Sequence, residues 1–243
     1  GPKGFQYRIF NAVQKSNQEV QLTYQAKDGE EGFPGNFQCT VTMKLTDDNA
    51  IDIQYEAETD KPTIVNMTNH SYFNLDGNPS KDNSSYLLTL NADHYTPVDS
   101  TFMTTGEIAS VEGTPMDFRQ PTAIGANINQ DFAQLKNGNG IDHNWVLNTQ
   151  GDVSKVCATL ESPATGIVLD VYTNEPGIQV YCGNFLDGTL TGKKGIVYNF
   201  RTAVCLETQH YPDTPNKPEW PSAVLRPGEK YQSQCIYKFS VRK

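Results

Sequence analysis

The sequence lacks any long apolar run and any cluster of basic residues, and each absence argues against a class of partner. No apolar run approaches the roughly 18–20 residues that a membrane-spanning helix needs. The opening GPKGFQYRIF contains no hydrophobic stretch typical of a signal peptide. The 243-residue chain carries 28 acidic against 19 basic residues, a formal net charge of -9. Without a Lys/Arg cluster to neutralise phosphates, we expect neither a nucleic-acid partner nor a membrane partner.

Motifs of several common enzyme classes are missing as well. The sequence has no His-Glu-x-x-His, Cys-x-x-Cys or Gly-x-Ser-x-Gly motif, no Walker loop and no dinucleotide fingerprint. These absences disfavour metal, nucleotide and serine-nucleophile chemistry, and we expect no metal and no cofactor. The five cysteines are widely spaced and odd in number. This favours free buried thiols in a reducing compartment over a disulfide framework.

The residues that are present alternate in the manner of β-strands. The stretch Phe37–Leu45 alternates apolar and polar residues, Asp47-Asp48-Asn49 supplies turn chemistry, and alternation resumes over Ile51–Ala57. This pattern predicts a β-hairpin. Similar runs, bounded by Gly, Pro, Asn or Asp, occur at Val20–Tyr24, Tyr86–Leu90, Ile167–Tyr172, Ile178–Cys182, Val204–Thr208 and Tyr231–Val241.

Strands that recur at short intervals predict an all-β fold, a large antiparallel β-sandwich formed by one domain over residues 1–243. The single helix candidate lies in Ala123–Leu135, where apolar residues recur at spacings of three and four. Because Gly125 interrupts this pattern, we expect a short helix. Two connections rich in Gly, Pro and Thr, Thr96–Phe118 and Gly183–Tyr198, are predicted to be loops. In a β-sandwich such loops gather at one end or along one face and build the binding site.

Only four histidines are present, and His70 has the most suggestive surroundings. It lies in Thr68-Asn-His-Ser-Tyr-Phe-Asn74, directly after an apolar-leaning segment. Such a strand end forms either a polar wall of a pocket or a structural site in which the imidazole satisfies nearby backbone groups. His143 and His210 are weaker candidates because each lies beside a stronger one, and His94 resembles an ordinary loop residue.

Two acidic residues are further candidates. Glu207 lies within the apolar run Val204-Cys-Leu-Glu-Thr208, where a carboxylate is costly to bury unless it is paired or functional. The alternative is the solvent face of an edge strand. Asp142, close to Trp145, suits binding of sugar hydroxyls, or it caps its own turn. Together the two carboxylates could also serve a glycoside hydrolase.

The segment Thr68-Asn-His-Ser-Tyr-Phe-Asn-Leu75 resembles the hallmark segment of the aldose 1-epimerase family. Further segments resemble family motifs in order and approximate spacing, and the match covers essentially the whole chain. These segments are Gly29-Glu-Glu-Gly-Phe-Pro-Gly35, Thr96-Pro-Val-Asp99, Gly113-Thr-Pro-Met-Asp-Phe118, Gly140-Ile-Asp-His-Asn144, Glu175-Pro-Gly-Ile-Gln179, Gly183-Asn-Phe-Leu-Asp-Gly188, Cys205-Leu-Glu-Thr-Gln-His210 and Val224-Leu-Arg-Pro-Gly-Glu229.

The resemblance implies a galactose mutarotase-like supersandwich that interconverts the α and β anomers of free aldoses such as glucose or galactose. It implies that His70 is the general acid at the ring oxygen and that Glu207 is the general base at the anomeric hydroxyl. Asp142, Gln179 and Asn69 would bind the sugar. The alternatives that stay open are a catalytically impaired carbohydrate-binding domain of the same fold, an acidic interaction module and a glycoside hydrolase.

Family members extend further at the N-terminus, where an Asn-Arg pair and a second histidine, in a Leu-His-Gly-Gly segment, contribute to the sugar site. Here the chain begins with Gly1-Pro-Lys-Gly-Phe5, which resembles the sequence that directly follows this histidine in family members. We therefore interpret residues 1–243 as an N-terminally truncated domain of reduced activity. Three explanations stay open, namely a nicked enzyme with a separate N-terminal fragment as its partner, a gene fragment and a natural short form. The expected location is the cytoplasm, or the periplasm or exterior if an export signal precedes Gly1.

Overall fold

The computed structural model describes residues 3–77 and 81–242 and is built mainly from β-strands. Two short α-helices are present in these ranges, α1 (Ile124–Asn127) and α2 (Ala133–Asn137). The strands are β1 Asn11–Gln14, β2 Glu19–Ala26, β3 Phe37–Leu45, β4 Ala50–Thr59, β5 Thr63–Ile64, β6 Leu87–Leu90, β7 His94–Thr96, β8 Ala109–Ser110, β9 Thr122–Ala123, β10 Asp142–Val146, β11 Ala158–Glu161, β12 Ile167–Thr173, β13 Gly177–Tyr181, β14 Cys205–Gln209, β15 Val224–Leu225 and β16 Tyr231–Val241.

Nine strands form the larger sheet, in the order β1-β2-β3-β4-β16-β12-β11-β6-β9. The predicted hairpin is confirmed: β3 and β4 pair antiparallel from Phe37 opposite Thr59 to Leu45 opposite Ile51. Asn49 closes the turn with a φ of 64°, a left-handed conformation that Asn adopts more readily than most residues. The other predicted strands also form, each within one or two residues of its expected bounds.

Five strands form the second sheet, in the order β14-β13-β10-β7-β8. The two sheets pack face to face over one apolar core, which confirms the predicted sandwich. Within it the Tyr237 hydroxyl of β16 donates to the Leu206 carbonyl of β14, at 2.6 Å, and so joins the sheets directly. Core side chains from both sheets include Leu88, Leu160, Leu169, Trp145, Ile178 and Val180.

The helix expected in Ala123–Leu135 forms as two short helices, α1 and α2, with a turn between them, and α2 continues to Asn137. Of the apolar residues at this spacing, Ile124, Ile128 and Leu135 are buried and Phe132 is partly buried. The break follows Asn127, whose side chain donates to the Pro115 carbonyl while its own carbonyl accepts from the Gln130 amide. Phe132 is then extended, with a φ of -132°, so that a second helix has to begin there.

All five cysteines are free and buried, as the sequence predicted. The two predicted loops are largely irregular, and Gly183–Tyr198 runs beside the end of β13. Within the described ranges, no helix is long and apolar enough to cross a membrane.

Candidate active site

The outer face of the five-stranded sheet carries polar side chains from three neighbouring strands. Because successive side chains of a strand point to opposite faces, β14 directs Cys205, Glu207 and Gln209 outward while Leu206 enters the core. The register places Glu207 opposite Gln179 of β13. On the same face, Asp142 of β10 lies opposite Tyr181 and Tyr181 opposite Cys205. Alternation within three strands therefore brings two carboxylates and an amide to one surface.

The segment that contains His70 runs antiparallel to β14 and is attached to it at both ends. At one end, the Asn66 side chain accepts from the His210 amide, at 2.9 Å, and donates to the His210 carbonyl, at 3.0 Å. At the other end, Phe73 and Val204 exchange two backbone hydrogen bonds of 2.8 and 2.9 Å. This alignment places His70 opposite the middle of β14, where Glu207 lies.

His70 and Glu207 consequently meet, and Nε2 of the imidazole is 3.3 Å from Oε1 of the carboxylate. The Glu207 side chain is 9% exposed and that of His70 is 51% exposed. Both face a cavity of about 530 Å³, large enough for a monosaccharide. The lining residues are Asn66, His70, Tyr72, Asp142, Gln179, Tyr181, Phe185, Glu207, Gln209 and Pro212.

Asp142 and Gln179 form a hydrogen-bonded pair on the cavity wall. The Gln179 amide nitrogen donates to Asp142 Oδ1 at 2.8 Å, a diagonal contact between adjacent strands of the kind that the pleat allows. Gln179 Oε1 is buried and has no hydrogen-bond partner among the described residues. A buried acceptor without a donor is costly, so this oxygen is suited to a hydroxyl donor of a ligand.

The electrostatics of the cavity favour a basic carboxylate. Burial, and secondarily the negative charge of Asp142, raises the pKa of Glu207 from 4.5 to about 8. Burial also raises the pKa of Asp142, while its bond from Gln179 and the nearby His70 act in the opposite direction. Burial thus makes Glu207 a stronger base than an ordinary carboxylate.

Aromatic rings line the cavity beside the catalytic candidates. The Tyr72 ring stacks on His70 with centroids 5.0 Å apart, and Tyr181 contacts both rings edge-on at 6.1 Å. Phe185 stacks on Tyr181 at 6.1 Å. Such rings present apolar faces to the C–H surfaces of a sugar. Tyr72 and Phe185 lie in a segment and a loop that the sequence predicted to border a pocket. Sequence reasoning missed Tyr181, although the period-two alternation from Gln179 to Tyr181 was available as a signal.

A family model described as Aldose 1-epimerase matches residues 1–238. The chain belongs to the aldose 1-epimerase family. Galactose mutarotase from Homo sapiens is 45% identical over 242 residues, which cover 99% of this chain and 68% of that protein. Aldose 1-epimerase from Escherichia coli (strain K12) is 43% identical over 241 residues, with coverages of 98% and 69%. A crystal structure of an aldose epimerase homologue from C. elegans superposes with a TM-score of 0.90 at 32% identity, covering 100% of this chain and 72% of that one.

Of the five site residues that the aldose 1-epimerase resemblance suggested, four line the cavity, namely His70, Glu207, Asp142 and Gln179. The fifth, Asn69, is not among the lining residues. Its side-chain oxygen accepts from the Ser71 amide at 3.1 Å, which stabilises the turn around His70. A direct role of Asn69 in sugar binding stays a prediction.

The three other histidines of this aldose 1-epimerase family member lie outside the cavity lining. His143 is fully buried in the core, where burial lowers its pKa to about 4. His210 pairs with Glu175, and its Nδ1 lies 2.7 Å from Oε2 of that carboxylate. His94 is exposed on β7, as expected of an ordinary surface residue.

One group of side chains in the cavity region has the composition of a metal site. Potential ligand atoms of His70, Cys205 and Glu207 all lie within 4.8 Å of one another. Burial raises the pKa of Cys205, however, and the adjacent Glu207 adds to this effect. Because the thiolate is the metal ligand, the Cys205 thiol would have to lose a proton before this group could bind a metal.

Proposed function

We propose that this chain interconverts the α and β anomers of free aldohexoses, with Glu207 as general base and His70 as general acid. The observation that carries the proposal is the 3.3 Å contact between the two side chains at the edge of a sugar-sized cavity. Membership of the aldose 1-epimerase family and relatives named galactose mutarotase support the same chemistry. The chain is accordingly an enzyme of the isomerase class.

Opening of a pyranose requires two proton transfers at adjacent oxygens. Ionised Glu207 takes the proton of the C1 hydroxyl while protonated His70 gives a proton to the ring oxygen, and the bond between C1 and the ring oxygen breaks. The product is the open-chain aldehyde. After rotation about C1–C2, His70 removes the proton of the C5 hydroxyl as that oxygen attacks C1, and Glu207 returns its proton to the carbonyl oxygen. Both side chains recover their starting states.

The short distance between acid and base matches the geometry of this substrate. The anomeric hydroxyl and the ring oxygen are bonded to the same carbon, so the two groups that serve them must converge on a small region. Glu207 is positioned by the regular register of β14 and His70 by a segment attached to the same strand. Fixed placement of reacting groups is a major source of rate enhancement.

The remaining polar residues of the cavity are proposed to orient the ring. Asp142 accepts from sugar hydroxyls, and Gln179 offers its unpaired oxygen as a further acceptor. Tyr181 and Phe185 supply apolar contact. Asn69 is proposed as a further polar contact. We propose a free hexose, glucose or galactose, as the ligand.

We also propose that residues 1–243 fold as one domain, supported by the core that both sheets share. A cytoplasmic location is proposed from the five free buried thiols.

The chain covers 68% of the length of the human relative. The proposed protein partner is a separate polypeptide that corresponds to the part of that relative which this chain does not cover. Co-purification of such a fragment with the chain would test this.

Polarimetry tests the catalytic proposal. Freshly dissolved α-D-galactose and α-D-glucose are each mixed with the chain, and the approach to the anomeric equilibrium is compared with the spontaneous rate. We expect acceleration that Glu207→Gln abolishes. Sugar binding in an NMR titration without faster anomer exchange would instead identify a carbohydrate-binding domain, and release of sugar from an aryl glycoside would identify a glycoside hydrolase.

A further inference from the structure

A buried carboxylate outside the cavity lining connects several elements of the site. Glu175 lies in the connection between β12 of the larger sheet and β13 of the smaller one, and it is 2% exposed. Its Oε2 is 2.7 Å from His210 Nδ1, and its Oε1 accepts from the Tyr231 hydroxyl at 3.3 Å. Burial of a carboxylate is costly unless its oxygens are bonded. Each oxygen of Glu175 therefore has its own partner.

Both partners of Glu175 also hold the segment that precedes His70. The backbone of His210 makes two hydrogen bonds with the Asn66 side chain. The Tyr231 hydroxyl accepts from the Met67 amide at 3.3 Å. The Glu175 carboxylate thus contacts both His210 and Tyr231, which in turn bind the adjacent residues Asn66 and Met67, four and three positions before His70.

His210, the partner of Glu175, is also close in sequence to Glu207. His210 follows β14 directly and lies three positions after Glu207. His70 and Glu207 are therefore each linked by a short piece of chain to the network of Glu175, His210 and Asn66. The far end of the His70 segment is held independently, through the backbone bonds between Phe73 and Val204.

We propose that Glu175, acting through His210 and Asn66, is a positioning residue that holds His70 against Glu207 for proton transfer. The proposal rests on the proposed function and goes beyond it, because Glu175 is not among the residues that line the cavity. Loss of the network leaves the core and the far attachment in place but releases one end of the segment. A displacement of about 1 Å can cost roughly 100-fold in rate.

Two variants and a matched control test the proposal in the full chain. Glu175→Gln keeps the shape and removes the charge, and Asn66→Ala removes both bonds to the His210 backbone. The control is Gln134→Ala, because the Gln134 amide makes the same pair of bonds with the backbone of Val98, at 2.8 and 3.0 Å. We expect kcat to fall roughly 10-fold or more in the two test variants with KM changed less than about 3-fold, and to be unchanged in the control.

A double variant shows whether Glu175 and Asn66 act together or independently. If Glu175 acts through Asn66, Glu175→Gln combined with Asn66→Ala reduces kcat little further than the more damaging single variant. Independent losses that multiply would overturn the proposed chain of action. A kcat equal to that of the control, or a rise in KM alone, would overturn the positioning role itself.

A readout without sugar keeps this test distinct from that of the proposed function. With four histidines in the chain, the imidazole signals can be assigned by NMR, and His70 carries the ring-current shift of Tyr72. We expect the His70 signal to move toward that of free histidine in Asn66→Ala and Glu175→Gln and to stay in Gln134→Ala. An unmoved signal contradicts the proposal even if the chain proves inactive. Should Glu175→Gln fail to fold, His210→Gln takes its place, because it removes the imidazole that pairs with Glu175 and keeps the backbone bonds to Asn66.

Discussion

Oε1 of Glu207 lies 3.3 Å from Nε2 of His70, although more than half of the chain separates them in sequence. The two environments differ: the carboxylate is buried on the sheet, and the imidazole is half-exposed beside Tyr72. Burial strengthens the carboxylate as a base, while exposure lets the imidazole exchange protons with water. This difference supports the assignment of base and acid.

Replacement of the base should remove most of the catalysis. Glu207→Gln keeps the shape of the side chain but cannot accept the proton of the C1 hydroxyl. We expect kcat to fall by about 10²–10⁴-fold with little change in KM, measured by polarimetry. Gln209→Ala, on the same face of β14, is the control and should retain a far larger share of the activity. Equal rates for Glu207→Gln and the parent chain would remove Glu207 from the mechanism.

The same substitution should stabilise the fold at alkaline pH. The pKa of Glu207 is about 8 in the folded chain against an ordinary 4.5, so between these values the folded chain binds more protons than the unfolded chain. The free energy of unfolding contributed by this group therefore falls as pH rises from about 5 to about 8. Glu207→Gln cannot ionise, and we expect a gain on the order of 2 kcal/mol at pH 8 that vanishes near pH 4. Urea unfolding at both pH values measures the difference, and a gain independent of pH would refute its electrostatic origin.

Removal of the acid should slow the reaction without loss of the fold. His70→Gln takes away the group that protonates the ring oxygen, and we expect a decrease in kcat of about 10²–10⁴-fold. His94→Gln is the matched control because His94 is an exposed residue of β7. NMR exchange spectroscopy of the two anomers measures both variants. If the His94 variant loses as much activity as the His70 variant, the effect does not come from the acid.

Asp142 should influence both the pH profile and sugar binding. Its negative charge raises the pKa of Glu207, in addition to the larger effect of burial. In Asp142→Asn that repulsion is gone, so Glu207 should ionise at lower pH and the acidic limb of kcat/KM should move to lower pH. Loss of a charged acceptor for sugar hydroxyls should also raise KM roughly 10-fold. A shift of the limb to higher pH would contradict this electrostatic role.

The hydroxyl that joins the two sheets should contribute measurably to stability. Tyr237→Phe removes the donor to the Leu206 carbonyl and leaves the ring in the core. We expect a loss of about 1–2 kcal/mol of unfolding free energy. Tyr172→Phe is the control, because Tyr172 lies on the outer face of β12. Calorimetry that finds equal stability for the two variants would show that the bond between the sheets contributes little.

The strands of this fold follow from local patterns, whereas the site does not. Period-two alternation predicted the β3–β4 hairpin because each strand buries one face, and the same rule places Glu207 outward between buried neighbours. No local pattern states that the segment around His70 attaches to β14, since the decisive bonds join Asn66 to His210. The proximity of His70 and Glu207 was predicted through family resemblance alone. The short helix expected in Ala123–Leu135 divides into two, and no local spacing states that the Asn127 side chain at the break bonds to the Pro115 carbonyl.

The alternation of side chains between the two faces of β14 limits where related enzymes can differ in length. Deletion of a single residue just before Glu207 would turn the carboxylate into the apolar interior and present a neighbouring core side chain to the cavity. Substitutions at Gln209 do not change which side chains of β14 face the cavity and which face the core. A change in strand length instead moves every side chain beyond the change to the opposite face. Differences in length among related enzymes should accordingly fall in connections such as Gly183–Tyr198, with Cys205–Gln209 kept at a constant count.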